Sequence, residues 1–160
     1  MIWMRYIAVI GGSSCSEEEK KTAFEVGSEI ARNESVLVCG GGSGVMEAAA
    51  EGARSAGGTA LGVLPGGRTS EGNRHLTFAI ATGLGEARNA IITRTADAVI
   101  AIGGEYGTLS EIALALKMGK PTIGLNSWVL QPPHCLKSEL IPAGSAREAV
   151  EKALALSDRA

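Results

Sequence analysis

Short runs of apolar residues with no polar alternation recur along the chain, and most of them stop at glycine or proline. The pattern is clearest at Ala98-Val99-Ile100-Ala101-Ile102, which is followed at once by Gly103-Gly104. An apolar run of that length, without alternation, is the signature of a parallel strand covered on both faces. The same reasoning predicts strands over 5–11, 35–39, 59–64 and 122–125, with shorter ones over 76–81 and 128–130.

Between the strands the apolar spacing changes to that of a helix. Ser16 is placed to cap a helix running to Arg32, with Ala23, Phe24, Gly27, Ile30 and Ala31 as its inner face. A second helix carries Val45, Met46, Ala49, Ala50 and Ala53 and stops at Ala56-Gly57-Gly58. A third is predicted over 84–95, with Ala87, Ala90 and Ile91 facing inward and Arg88 on a different side. A fourth follows the 98–102 strand and ends at Gly119-Lys120-Pro121, and the last runs over 145–156 with Ala149, Val150, Ala153 and Leu154 inside. Residues 68–74 read as a mobile surface loop near a binding mouth, and residues 126–144, with three of the five prolines, read mostly as loop.

Strands alternating with helices require an α/β fold: a Rossmann-like, doubly wound and mainly parallel sheet with helices on both faces. In such sheets ligands sit beyond the carboxyl ends of the strands. The three glycine loops, at 11–14, 40–44 and 103–107, all fall at that edge.

Composition narrows the partners. The 160 residues, 45% hydrophobic, suit a single domain over 1–160 with a substantial core. A net charge of −2 with scattered lysines and arginines argues against nucleic acid. No apolar run approaches membrane-spanning length, and the start, Met1-Ile2-Trp3-Met4-Arg5-Tyr6, reads as the approach to a first strand and not as a signal peptide. Three cysteines, Cys15, Cys39 and Cys135, form neither a disulfide framework nor a zinc spacing, so a reducing cytoplasm and no metal site are expected. The apolar circumference of the helix holding Ile112, Ala113, Leu114, Ala115, Leu116 and Met118 exceeds what one sheet face needs, and predicts a homo-oligomer, a dimer or a dimer of dimers.

Glycine loops at strand ends let backbone N–H groups close around an anion at a helix N-terminus, so a phosphate-bearing small molecule is the expected ligand. The candidate binding residues are Gly12, Ser13, Gly41, Gly42, Gly103, Gly104, Gly107 and Thr108. A competing explanation exists for one part: Thr108-Leu109-Ser110-Glu111 has the spacing of a capping box, as do Ser16 with Glu19 and Ser145 with Glu148. The chain holds no GxxxxGK[ST], no GxGxxG and no GxSxG, which disfavours triphosphate hydrolysis, a dinucleotide fingerprint and a nucleophile-elbow hydrolase.

Gly12-Ser13-Ser14, Gly40-Gly41-Gly42-x-Gly44-x-Met46 and Gly103-Gly104-x-x-Gly107-Thr108-x-x-Glu111, in this order, resemble the LONELY GUY superfamily, often labelled lysine decarboxylase-like. The resemblance implies one of two activities. One branch cleaves cytokinin riboside 5′-monophosphates to free base and ribose 5-phosphate; the other comprises molybdenum cofactor carriers, which bind a pterin phosphate. It assigns the family's catalytic arginine and glutamate to Arg88 and Glu111. The enzyme branch typically has proline before the glycine motif and an Arg-Lys pair, whereas this chain has Ile102 and Arg88-Asn89. Those departures resemble the carrier branch. The expected ligand is therefore a pterin-like or nucleotide-like phosphate, molybdenum cofactor or a nucleoside monophosphate, with a phosphoribohydrolase as the alternative and a ligand-sensing or structural oligomer as a third reading.

If the chain is a hydrolase, Glu111 would stabilise an oxocarbenium-like ribose or position water, and Arg88 would offset charge on the phosphate or leaving group.

Overall fold

A computed structural model describes residues 4–157 of the protein; Met1, Ile2 and Trp3, read above as the approach to the first strand, lie outside the described residues. Seven strands and five α-helices follow in the order β1 (Tyr6–Gly11), α1 (Glu17–Arg32), β2 (Val36–Cys39), α2 (Val45–Ser55), β3 (Ala60–Leu64), β4 (Phe78–Ala81), α3 (Asn89–Thr95), β5 (Ala98–Ile102), α4 (Tyr106–Lys117), β6 (Thr122–Leu125), β7 (Leu140–Pro142) and α5 (Ala146–Ser157). Every strand pairing among them is parallel, in the sheet order β4-β3-β2-β1-β5-β6-β7. The fold is the expected Rossmann-like α/β architecture. Strand order reverses at the β1–β5 seam, where Ile7 to Gly11 run in register with Ala98 to Ile102. Loops leaving two neighbouring strands in opposite directions open a crevice at that point.

The alternation of side chains along each strand sorts the core into two layers. On one face Ile7, Val9, Leu37, Ile100 and Ile123 pack under α1, α2 and α5; on the other Ala8, Ile10, Val38, Val99 and Ala101 meet Ile92 of α3 and Ile112 of α4. All five residues of β5 are buried, as the unbroken apolar run requires.

The α1–α2 contact depends on two glycines. A Cβ on Gly27 would run into the Ala49 carbonyl, and one on Gly52 into the Phe24 carbonyl, so each helix lays its backbone against the other. Ser28 Oγ closes the contact by donating to Gly52 O at 3.1 Å. Because backbone cannot yield as a side chain tip does, Gly52→Ala is expected to lower stability by about 1–3 kcal/mol, the range for overpacked cores. A drop in the urea midpoint with an unchanged slope would show it.

Three local expectations are corrected. The segment over 84–95 is not one helix: residues 85–88 form a 3-10 turn that leads into α3. A 3-10 turn advances three residues per turn instead of 3.6, so the phase slips and Ile92 and Thr93 face inward while Ile91 stays exposed. The last strand lies at Leu140–Pro142 and not at 128–130. The inner face of α1 is Ala23, Val26, Gly27, Ser28 and Ile30; Phe24 is exposed. The exposed loop over 68–74 has one fixed point, since Asn73 donates from its backbone N–H to Gly41 O and from Nδ2 to Gly42 O, both at 2.9 Å.

Candidate functional site

Each of the three loops at the carboxyl edge leads into a helix whose first N–H groups lack intrahelical partners. At α1 they are satisfied locally: Glu19 N–H donates to Ser16 Oγ at 3.1 Å, and Ser16 N–H donates back to Glu19 Oε2 at 2.7 Å, the predicted capping box. At α2 the Val45 N–H is taken by Gly12 O at 3.0 Å, and Ser43 Oγ donates to Ser13 O at 3.0 Å, which ties the first two loops together. At α4 the N-cap residue is Glu105, and no side chain caps the helix among the described residues. The α4 N-terminus is left with open donors and no acidic residue in its first turn.

That finding answers the capping-box question for Glu111. Gly103 (φ +51°) and Gly104 (φ +99°) turn the chain so tightly that α4 begins at Tyr106, two residues ahead of Thr108. Thr108 is a buried residue of the first turn, packed over Gly104, and Glu111 lies one turn further on, buried. The Ser145–Glu148 pair is split differently: Glu148 N–H donates to Ser145 Oγ, while its carboxylate accepts from Gly144 N–H.

A cleft of about 320 Å³ opens at the β1–β5 seam. Of the sequence-predicted residues it brings together Gly12, Ser13, Arg88, Gly107, Thr108 and Glu111. Gly41, Gly42, Gly103 and Gly104 do not line it. Gly41 packs on Leu64 and, with Gly42, holds Asn73. Gly103 donates to Leu125 O at 3.1 Å, accepts from Ser127 Oγ at 2.8 Å, and has the Glu19 carboxylate where a side chain would go. These four therefore shape the loops behind the wall of the cleft. The wall also contains Gly40, Glu86 and Glu105, none of which the sequence reading singled out as ligand-binding, and Ser14, Met46 and Asn89, which it quoted only within motifs.

Glu111 is 7% exposed, and neither carboxylate oxygen has a hydrogen-bond partner among the described residues. Burial pushes its pKa from 4.5 up to about 7, and the positive charge of Arg88 holds it from rising further. The same burial pulls the Arg88 guanidinium below its ordinary value, opposed by Glu111, and Arg88 Nε is shielded from solvent with no hydrogen-bond partner among the described residues. Beneath them Cys39 is buried at the end of β2, and desolvation raises its thiol to about 11, so it is a neutral packing group. A carboxyl that titrates near neutrality beside an arginine, facing a cleft and an open helix N-terminus, can hold an anionic group and exchange a proton with it. Among the described residues no group of three or more His, Cys, Asp or Glu converges to hold a metal ion.

A larger groove of about 1,140 Å³ runs along the other side of α4, between Leu116, Trp128, Val129, Leu136 and Leu140. It contains none of the predicted site residues.

Comparison with known proteins gives the family and the fold. The sequence model of the SLOG cluster4 family matches residues 4–154. The molybdenum cofactor binding protein of the phototrophic bacterium Rippkaea orientalis superposes with a TM-score of 0.86 at 34% identity, over 98% of this chain and 99% of that one. The molybdenum cofactor carrier protein of Chlamydomonas reinhardtii superposes with a TM-score of 0.79 at 33% identity, over 96% and 99% of the two chains. A probable cytokinin riboside 5′-monophosphate phosphoribohydrolase of Oryza sativa subsp. japonica is 34% identical over 116 residues, covering 68% of this chain and half of the rice protein.

Proposed function

We propose, from the premise that the chain belongs to the SLOG cluster4 family and stands close to the molybdenum cofactor carriers, that it binds a phosphorylated pterin-like or nucleotide-like molecule in the β1–β5 cleft. The observation that carries this reading is the buried Glu111 carboxyl near Arg88, whose Nε has no hydrogen-bond partner among the described residues, beside the one helix start, among those of α1, α2 and α4, that has neither a side-chain cap nor a backbone acceptor. The phosphate would take the N–H groups around Gly107 and Thr108, with Arg88 opposite. Gly12 and Ser13 would bound the far side. A cleft of about 320 Å³ is at the small end of ligand sites, which span about 300–1,000 Å³, and suits one phosphate with one ring system. The molybdenum cofactor would be cargo here. Residues 4–157 would then act as one domain built around the cleft.

One observation favours the alternative, release of free base and ribose 5-phosphate from a nucleoside 5′-monophosphate. With its pKa about 7, Glu111 can give or take a proton at neutral pH, a capacity that a carrier does not need.

The oligomer is likewise part of this reading, with a changed location. On α4, Ile112 and Ala115 are buried within the chain, while Ala113 is exposed and Leu114 and Leu116 are half-buried. A further patch of exposed apolar side chains lies on β4 and the turn after it, where Phe78 is 63%, Ile80 49% and Leu84 54% exposed. We read that face as the contact between copies. Cys15, Cys39 and Cys135 are free thiols. Among the described residues no helix is long and apolar enough to cross a membrane.

Native mass spectrometry of freshly purified protein tests ligand and assembly together. The expected spectrum shows a multiple of the 16.4 kDa chain with a retained phosphorylated ligand. Base release from a panel of nucleoside 5′-monophosphates would turn the assignment to the hydrolase; a bare monomer that binds none of them would refute both.

A further inference from the structure

Gly40 is the first residue after β2, and the backbone does not explain why it is glycine. Gly41 and Gly44 in the same loop have positive φ, at +74° and +67°, whereas Gly40 is not among the positive-φ residues, so its conformation admits an L side chain. Space is what excludes one. A Cβ built on Gly40 would collide with Arg88 Nη1 and lie 2.8 Å from Nη2 and 2.7 Å from Met46 Sδ. The Nη edge of the guanidinium therefore occupies the space beside the bare Cα of Gly40, in the wall of the cleft, with Nε sealed from solvent.

We propose that Gly40 is the positioning residue for Arg88: by leaving its side-chain position empty it seats the guanidinium at the β2 end of the cleft, across from Glu111 and the α4 N-terminus, ready for an anionic ligand. The proposal rests on the anion-binding reading of the cleft. Arg88 is the last residue of the 3-10 turn at 85–88 and leads directly into α3. Its seat lies on another element, at the end of β2. A planar cation held before the ligand arrives loses less conformational freedom on binding, which is why the seat matters for affinity.

The test is Gly40→Ala, with adenosine 5′-monophosphate as probe. The atoms in the way are the far ends of two flexible side chains, so the chain is expected to fold with Arg88 displaced. In the wild type the Arg88 Nε–H, identified by its absence in Arg88→Lys, should exchange slowly with water; in Gly40→Ala the exchange should quicken by about 10-fold or more, as a shielded group becomes exposed. Affinity for the probe should fall about 10-fold, the order of one charge-assisted contact, and Gly40→Ala should change it by less than about twofold in an Arg88→Ala background, because coupled residues are not additive. If the alanine also lowers the melting temperature, that loss should shrink in the same background. Faster exchange without any binding of the probe by the wild type supports the seat and counts against the anion reading alone. Unchanged exchange, or additive effects of the two substitutions, overturns the proposal.

Discussion

Glu111→Gln is expected to remove a loss of stability of about 3 kcal/mol that the wild-type protein suffers between pH 4.5 and 7. The sign follows from the direction of the shift. An unfolded chain releases the Glu111 proton near 4.5, whereas the folded chain keeps it to about 7, so over that interval the native state holds more protons and its stability falls as pH rises. Below 4.5 both states are protonated and nothing is lost; above 7 the full penalty is present, at about 1.4 kcal/mol per pH unit across the interval. Glutamine has the shape of the neutral carboxyl and does not titrate. Urea unfolding at pH 4.5 and pH 8 should show the wild type falling more steeply than the variant, and equal slopes would sink the assignment. A capping role for Glu111 predicts the reverse, because a carboxylate bonded to an N-cap is stabilising when charged.

Arg88→Ala is expected to weaken binding of a nucleoside 5′-monophosphate by about 10–100-fold, the loss of a hydrogen-bonded cation opposite a phosphate. A second effect separates this from a purely structural role. Arg88 is the group that restrains the rise in the Glu111 pKa, so its removal should move the Glu111 titration above 7, visible as the midpoint of its carboxyl carbon signal in NMR. Arg88→Lys should keep part of the Glu111 restraint, since a point charge remains, while losing the two-pronged contact to phosphate. A variant with normal binding and an unmoved Glu111 midpoint would remove Arg88 from the site.

The features legible in the sequence are those that depend on local pattern. The unbroken apolar run of β5 declared a two-sided strand, and Ser16 with Glu19 declared the start of α1, because both signals are complete within a few residues. Arg88 and Glu111 came from the resemblance and not from periodicity. The errors occur where a local signal was overruled from outside. Thr108 with Glu111 has the spacing of a cap, but the Gly103-Gly104 turn lets α4 begin earlier. The role of Gly40 was hidden because a glycine that makes room for another side chain looks, in sequence, like a glycine that makes a turn. Leu140–Pro142 forms an edge strand of only three residues, too short to carry a period.

The two sides of the cleft are held very differently. The loops after β1 and β2 are laced together by Ser43 and Val45, and their helices are locked backbone to backbone through Gly27 and Gly52. Arg88 stands on a single 3-10 turn whose Ala87 N–H reaches Leu84 O at 3.3 Å. That turn is in its own way pinned, by Gly83 N–H to Gly66 O at 2.9 Å and Gly85 N–H to Pro65 O at 3.0 Å, with the guanidinium braced on Gly40, so an incoming ligand meets walls that were ordered before it arrived and little of the cost of capture is spent on shaping the site.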